Sequence, residues 1–157
     1  MRIKKRKCWL SKYMEKVLVS ACLIGNNCKY NGKNNKNEKI LEYLKDKEVI
    51  LVCPEVMGGL DIPRLKSEIV DGEEELKVIN EKGEDVTAYF VKGASIALKR
   101  ALANNVKVAI LKEKSPSCGY KKIYNGNFDG TKVEGSGVFA RMLMEHNINI
   151  LTEEDFL

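Results

Sequence analysis

A short turn-rich stretch, Ser115-Pro116-Ser117-Cys118-Gly119, holds the residues of this 157-residue chain that are best suited to chemistry. One thiol lies between two hydroxyls and follows an apolar run, residues 106–111. Pro116 excludes a regular helix here, and Gly119 lets the backbone turn away because it has no Cβ. The pattern predicts a loop that presents the sulfur of Cys118 beyond the end of a buried strand.

Two other apolar runs also end in a cysteine. Residues 17–21 run into Cys22, and residues 49–52 run into Cys53. In a parallel sheet the carboxyl ends of the strands share one edge, and ligands usually bind outside that edge. We therefore expect Cys22, Cys53 and Cys118 to converge there.

Three converging thiolates with no histidine near them favour a soft metal centre. A structural zinc site usually has closely spaced ligand pairs, and this chain has no C-x-x-C pair. An iron–sulfur cluster suits thiolates from distant loops, and three cysteines leave one iron open to a substrate. Cys28, in the polar loop after Cys22, is either a fourth ligand that closes the cluster or a thiol packed near it. The remaining interpretation is that all these cysteines are buried core residues.

Groups suited to proton transfer lie beside the thiols in sequence. Glu55 follows the second strand-end cysteine, and Ser115 and Ser117 flank the third. A carboxylate can activate water, and a hydroxyl can orient a substrate or relay a proton. The hydroxyls alternatively satisfy backbone groups of the turn. We interpret the other nearby acids, Glu68 and Glu113, as solvated surface groups.

Strands and helices alternate along the chain. Continuous apolar runs predict strands covered on both faces of a parallel sheet, and amphipathic periodicity predicts helices. The predicted strands are residues 16–21, 49–52, 106–111 and 148–151; the helices are residues 35–45, with Asn35 and Glu38 as a capping box, 87–104 and 137–146; a small β-hairpin occupies residues 76–86. This pattern is typical of a three-layer, Rossmann-like α/β fold with a mostly parallel sheet and a small β-hairpin insertion.

The basic charge of the chain lies in its first residues. The formal net charge is +5, yet residues 1–13 hold six of the 27 basic residues and none of the 22 acidic ones. The remainder is close to neutral, which does not favour a nucleic-acid polymer as partner. We expect residues 1–13 to be a disordered basic extension before Met14, and residues 14–157 to form a single domain.

Hydropathy and cysteine usage indicate where the protein works. No apolar run approaches the ~20 residues of a membrane span. The apolar piece of residues 1–13 is also too short for a signal peptide, whose apolar region is ~7–15 residues long. Five cysteines without a secretory signal do not predict a disulfide framework. We therefore expect a cytoplasmic monomer or small homo-oligomer with no membrane partner. The single histidine, His146, ends a predicted helix, so a Cys–His or Ser–His nucleophile is hard to assemble.

The cysteine motifs occur in the order of a known family. They are Ser20-Ala21-Cys22-Leu23-Ile24-Gly25, Cys28-Lys29-Tyr30-Asn31-Gly32, Cys53-Pro54-Glu55 and Ser115-Pro116-Ser117-Cys118-Gly119, with Gly58-Gly59-Leu60, Pro63-Arg64, Asp85-Val86-Thr87 and Gly93-Ala94 between them. From Met14 to its end the chain resembles the small bacterial iron–sulfur proteins that include the thiouracil desulfidases. The resemblance implies a [4Fe-4S] cluster held by Cys22, Cys53 and Cys118, while Cys28 also matches a motif position.

The resemblance further implies an enzyme with a small-molecule substrate. The family reaction removes sulfur from a thiolated pyrimidine or related thiocarbonyl compound, giving the oxo product and hydrogen sulfide without net redox change. Water would supply the oxygen, with Glu55, Ser115 and Ser117 as candidate catalytic residues. Two alternatives from other classes are a cysteine-persulfide sulfurtransferase with one nucleophilic thiol, and a non-catalytic binding module stabilised by zinc.

Overall fold

The computed structural model describes residues 14–70 and 75–157, so the predicted basic extension lies outside the described residues. The strands are β1 (Lys16–Ser20), β2 (Glu48–Val52), β3 (Ser67–Ile69), β4 (Val78–Asn80), β5 (Val108–Leu111), β6 (Lys122–Tyr124), β7 (Lys132–Glu134) and β8 (Asn149–Thr152). The helices are α1 (Glu38–Tyr43), α2 (Pro54–Met57), α3 (Thr87–Ala103) and α4 (Val138–Glu145), and 3-10 segments span Ala21–Ile24, Leu44–Asp46 and Glu153–Phe156. Four strands form a parallel sheet in the order β2-β1-β5-β8, and two antiparallel pairs, β3-β4 and β6-β7, lie outside it.

The parallel sheet is buried on both faces. Successive residues of β1 enter different cores, because side chains alternate across a strand. Leu18 packs in the core that holds the buried faces of α3 and α4, whereas Val17 and Val19 pack in a second core with Ile40 of α1. Helices therefore cover both faces, and the prediction of a three-layer α/β fold with a mostly parallel sheet is confirmed.

The edge strand β2 is partly covered by the long helix. Arg100, near the end of α3, donates from Nη1 to the carbonyl oxygen of Leu51 at 2.8 Å. Leu51 lies in β2, which pairs only with β1 in the described part of the sheet. A side chain thus occupies a backbone acceptor of this edge. Within the described residues, no helix is both long and apolar enough to cross a membrane.

The structure differs from the sequence-based expectation at three places. The predicted hairpin at residues 76–86 is present, because Asn80 N–H donates to the carbonyl of Glu84 at 3.0 Å, Val86 N–H donates to that of Val78 at 2.9 Å, and Ile79 forms an antiparallel bridge to Asp85. What was not predicted is that its first strand, β4, also pairs with β3. The antiparallel pair β6-β7 was not predicted, since each of its strands has only three residues, too few to show a period.

The third difference concerns the start of α1. Asn37, not Asn35, is the N-cap, and its Oδ1 accepts from the N–H groups of Lys39 and Ile40 at 3.0 Å. Asn35 points elsewhere: its Nδ2 donates to Cys22 Sγ at 3.4 Å. Because Asn37 takes the capping position, the side-chain amide of Asn35 is available to donate to the thiol of Cys22.

Gly93 lets α3 approach α2 closely. A Cβ at this position would lie 1.7 Å from the carbonyl oxygen of Pro54, the first residue of α2 and the neighbour of Cys53. Backbone contact of this kind leaves no room for a methyl group, so the position of the second cysteine depends on this glycine.

We expect Gly93→Ala to destabilise the domain by at least ~2 kcal/mol, because overpacking costs about 1–3 kcal/mol and backbone cannot move aside cheaply. For a chain of this size the melting temperature should fall by about 5 °C or more. Thermal unfolding followed by circular dichroism measures the change. Lys92→Ala, an exposed neighbour on α3, is the matched control and should leave the melting temperature nearly unchanged.

Candidate active site

A cavity of about 560 Å3 opens at the carboxyl ends of β1, β2 and β5. Cys22, Cys28, Cys53 and Cys118 all line it, and all four are free thiols. The structure therefore brings together the three strand-end cysteines, as the sequence predicted from sheet topology. Cys28 lines the same cavity.

Different local structures hold the three strand-end cysteines. Cys22 lies in the 3-10 turn directly after β1 and is 9% exposed. Cys53 is the N-cap of α2, with Pro54 in the first helical position, where a missing N–H costs nothing. Cys118 is 5% exposed and sits in the turn predicted around Pro116.

That turn is fixed from within and from α4. Ser115 Oγ accepts from the backbone N–H groups of Ser117 and Cys118, both at 3.1 Å. The carbonyls of Pro116 and Ser117 in turn accept from the first N–H groups of α4. The orphan donors of the helix are thereby satisfied without a side-chain cap, and the loop that carries the third thiol is held in place.

A buried carboxylate anchors the other side of this loop. Glu113 is 1% exposed, and its Oε1 accepts from the backbone N–H groups of Tyr120, Lys121 and Lys122 at 2.7–3.2 Å. Glu68 is likewise buried and accepts from two N–H groups of the β6-β7 connection. The prediction that these two acids are solvated surface groups is wrong, because both are buried and accept from backbone N–H groups of a loop.

Glu55 is a carboxylate of the cavity that contacts the two serine hydroxyls of the Cys118 loop. Its Oε1 accepts from Arg64 Nε at 3.1 Å, while its Oε2 faces the hydroxyls of Ser117 at 3.3 Å and Ser115 at 3.5 Å. Arg64 is 8% exposed at its side chain and also donates from Nη2 to the carbonyl of Cys28 at 2.8 Å. One carboxylate oxygen is therefore fixed by an ion pair, and the other is directed to the loop of the third cysteine.

The surroundings of the thiols give them different acidities. Burial raises the pKa of Cys22, although the amide of Asn35 partly offsets it, and burial raises the pKa of Cys118 well above its ordinary value. A hydrogen bond from Cys28 lowers the pKa of Cys53, and the same contact raises that of Cys28. Buried thiols of raised pKa ionise when a metal centre supplies the compensating charge.

The donor set has the chemistry of a soft-metal site. In the described part of the chain, no three His, Cys, Asp or Glu side chains are placed to hold one metal ion. Cys22, Cys53 and Cys118 line one cavity from three separate elements, as thiolate ligands of an iron–sulfur cluster do.

Sequence reasoning missed two polar residues of the site. Arg64 was noted only as part of a Pro-Arg motif, although it joins Glu55 to the Cys28 loop. Asn35 was assigned to a helix cap, although it donates to Cys22. The motif around Arg64 was the available signal, whereas nothing local marked the contact of Asn35.

Comparison with known proteins gives three concordant likenesses. The model of the 2-thiouracil desulfurase family matches residues 17–155. The uncharacterized protein YbbK of Bacillus subtilis (strain 168) is 41% identical over 145 residues, 88% of this chain and 96% of that protein. The solved structure of the [4Fe-4S]-dependent thiouracil desulfidase TudS is 40% identical in sequence and superposes with a TM-score of 0.82. The match covers 90% of this chain and 92% of the TudS chain.

Proposed function

Because the chain belongs to the 2-thiouracil desulfurase family, we propose that it removes sulfur from thiouracil or a closely related thiolated pyrimidine in a [4Fe-4S]-dependent reaction without net redox change. The family resemblance predicted from the cysteine motifs is confirmed. The observation that carries the proposal is the cavity where three strand-end thiols lie next to Glu55 and its two hydroxyl neighbours.

We assign the cluster to Cys22, Cys53 and Cys118, because their side chains line the cavity from three sides of the sheet edge. When bound, a cluster with one iron free of protein ligands supplies a soft Lewis acid that polarises a C–S bond. Asn35 donates to the sulfur of Cys22, and the Ser20 hydroxyl offsets part of the effect of burial on the pKa of Cys118. Both polar groups favour charge on the two most buried thiolates.

The chain's own proton chemistry centres on Glu55 Oε2. We assign this oxygen to take a proton from the water that attacks the carbon bearing sulfur. The new C–O bond forms as the C–S bond breaks, and the electron pair of that bond leaves with sulfur as hydrosulfide. Arg64 holds Oε1, so the reactive oxygen keeps its direction toward Ser115 and Ser117. The two hydroxyls orient the water and pass on its proton.

The cavity suits a small polar ring. Its volume of about 560 Å3 falls in the range of ~300–1,000 Å3 that small-molecule sites occupy. Aromatic side chains of Tyr30, Tyr124 and Phe128 share its wall with charged groups. Such a wall offers both flat apolar contact and hydrogen bonding to a pyrimidine.

Sulfide release tests the proposal. Holoprotein prepared without oxygen should release sulfide from 2- or 4-thiouracil, and the apoprotein should release none. In isotopically labelled water the uracil product should carry the label, because water supplies the oxygen. Release of sulfide that depends on one cysteine but not on iron would instead favour the persulfide sulfurtransferase. No sulfide from fully loaded protein would contradict the proposal.

A further inference from the structure

Cys28 is a nucleophilic side chain that the proposed reaction does not use. It lies in the polar loop between the 3-10 turn of Cys22 and α1, it is half-buried, and it lines the cavity. Its sulfur is therefore reachable by small molecules that enter the site. The loop itself is shaped by backbone hydrogen bonds from Lys29 N to Lys33 O and from Gly32 N to Lys29 O.

The nearest partner of Cys28 is Cys53. Cys53 Sγ lies 3.8 Å from the carbonyl oxygen of Cys28. Arg64 keeps the two segments together: Nη2 donates to that carbonyl, and its backbone N–H donates to the carbonyl of Tyr30 at 2.7 Å. The fold thus holds the two cysteines next to each other at the wall of one cavity.

The remaining described thiols have other partners. The sulfur of Cys22 accepts from Asn35, and Cys118 is almost fully buried. Among the side-chain hydrogen bonds of the described cysteines, only that from Cys53 Sγ to the carbonyl of Cys28 joins two cysteines.

We propose that Cys28 and Cys53 form a reversible disulfide when the site loses its cluster in the presence of a low-molecular-weight disulfide such as oxidised glutathione. One cysteine thiolate attacks the small disulfide and expels a thiolate, and the second cysteine then displaces the remaining small thiol. Two cysteine sulfurs become one S–S bond, and the small disulfide takes up the two electrons and two protons as two thiols.

The bond has a consequence for the cluster site. It withdraws Cys53 from the ligand set, and it keeps this sulfur from advancing to the irreversible sulfinic and sulfonic acids. A small thiol reverses the exchange and returns the ligand. Cys28 is then a protecting partner of a ligand and not itself a ligand, which separates this inference from the desulfuration chemistry.

Peptide mapping tests the proposal on the full chain. Holoprotein prepared without oxygen is exposed to air and oxidised glutathione, its free thiols are blocked, and it is digested with trypsin. Cleavage yields peptides 17–29, with both Cys22 and Cys28, 48–64, with Cys53, and 115–121, with Cys118. We expect most of peptide 48–64 to be linked to peptide 17–29, and dithiothreitol to release it.

Two matched variants identify the sulfur on peptide 17–29. The link should persist in Cys22→Ser and disappear in Cys28→Ser. The reverse result, or linkage of peptide 48–64 to peptide 115–121, would overturn the proposal. Oxidised identically, Cys28→Ser should carry several-fold more sulfinic acid at Cys53 than the unsubstituted chain, and equal amounts would overturn the protective role. None of these results depends on sulfide release, so the desulfuration proposal stands or fails separately.

Discussion

Serine at Cys22, Cys53 or Cys118 is expected to leave the protein colourless and without measurable sulfide release. A hydroxyl is a poor ligand for a soft metal, and each of these thiols enters the cavity from a different element, so no neighbour replaces the lost one. Iron and acid-labile sulfide per chain, measured without oxygen, should fall from about four to near zero in each variant.

Cys28→Ser is the matched control for this series, since it makes the same substitution in the same cavity. It should keep most of the iron, because Cys28 is assigned no ligand role. Loss of iron in Cys28→Ser as complete as in the other three variants would mean that four cysteines close the cluster. No iron would then be free of protein ligands, and the proposed mechanism would not apply. Stoichiometric zinc in the unsubstituted protein, with no labile sulfide, would instead restore the zinc-stabilised module.

Glu55→Gln is expected to lower turnover by about 10²–10⁴-fold, the usual contribution of a general base. Glutamine keeps the shape of the side chain and an oxygen that can accept from Arg64, but it cannot take up a proton. Iron content should be unchanged. Steady-state rates of sulfide release should show the loss in kcat, with little change in KM.

A second carboxylate of the cavity provides the control for Glu55. Glu81 lines the same cavity but is exposed and accepts only from the backbone N–H of Lys66 among the described contacts. Glu81→Gln should therefore retain nearly full turnover. If Glu55→Gln also retains nearly full turnover, the proton acceptor is another group. If the Glu55→Gln variant loses its iron, Glu55 acts by supporting the fold of the site.

The sheet was predictable because its signal is local. Continuous apolar runs such as residues 49–52 favour buried strands, because they are short and rich in β-branched residues, and parallel topology then puts the following cysteines at one edge. The convergence of Cys22, Cys53 and Cys118 followed from these two statements. Their assignment to a cluster came from the motifs, and it remains a proposal.

The supporting residues of the site were not predictable because loop conformation and tertiary packing, not a local sequence pattern, decide their partners. Glu113 looks like a surface acid between two lysines, and only the turn that follows it brings the N–H groups of Tyr120 and its neighbours to it. Glu68 depends in the same way on a loop about sixty residues later. The additional pairing of β4 with β3 is a further case, since short strands are decided by tertiary contacts.

The contact between Arg100 and Leu51 bears on how readily another strand could add to the edge of the sheet. An exposed edge strand is a template to which another chain can add a strand, and such addition begins with free backbone acceptors. At β2 the guanidinium already occupies the carbonyl of Leu51, and it carries a positive charge to the rim of the sheet. An incoming strand would have to displace that hydrogen bond and desolvate the charge. The helix that covers one face of the sheet thereby also makes strand addition at β2 less favourable.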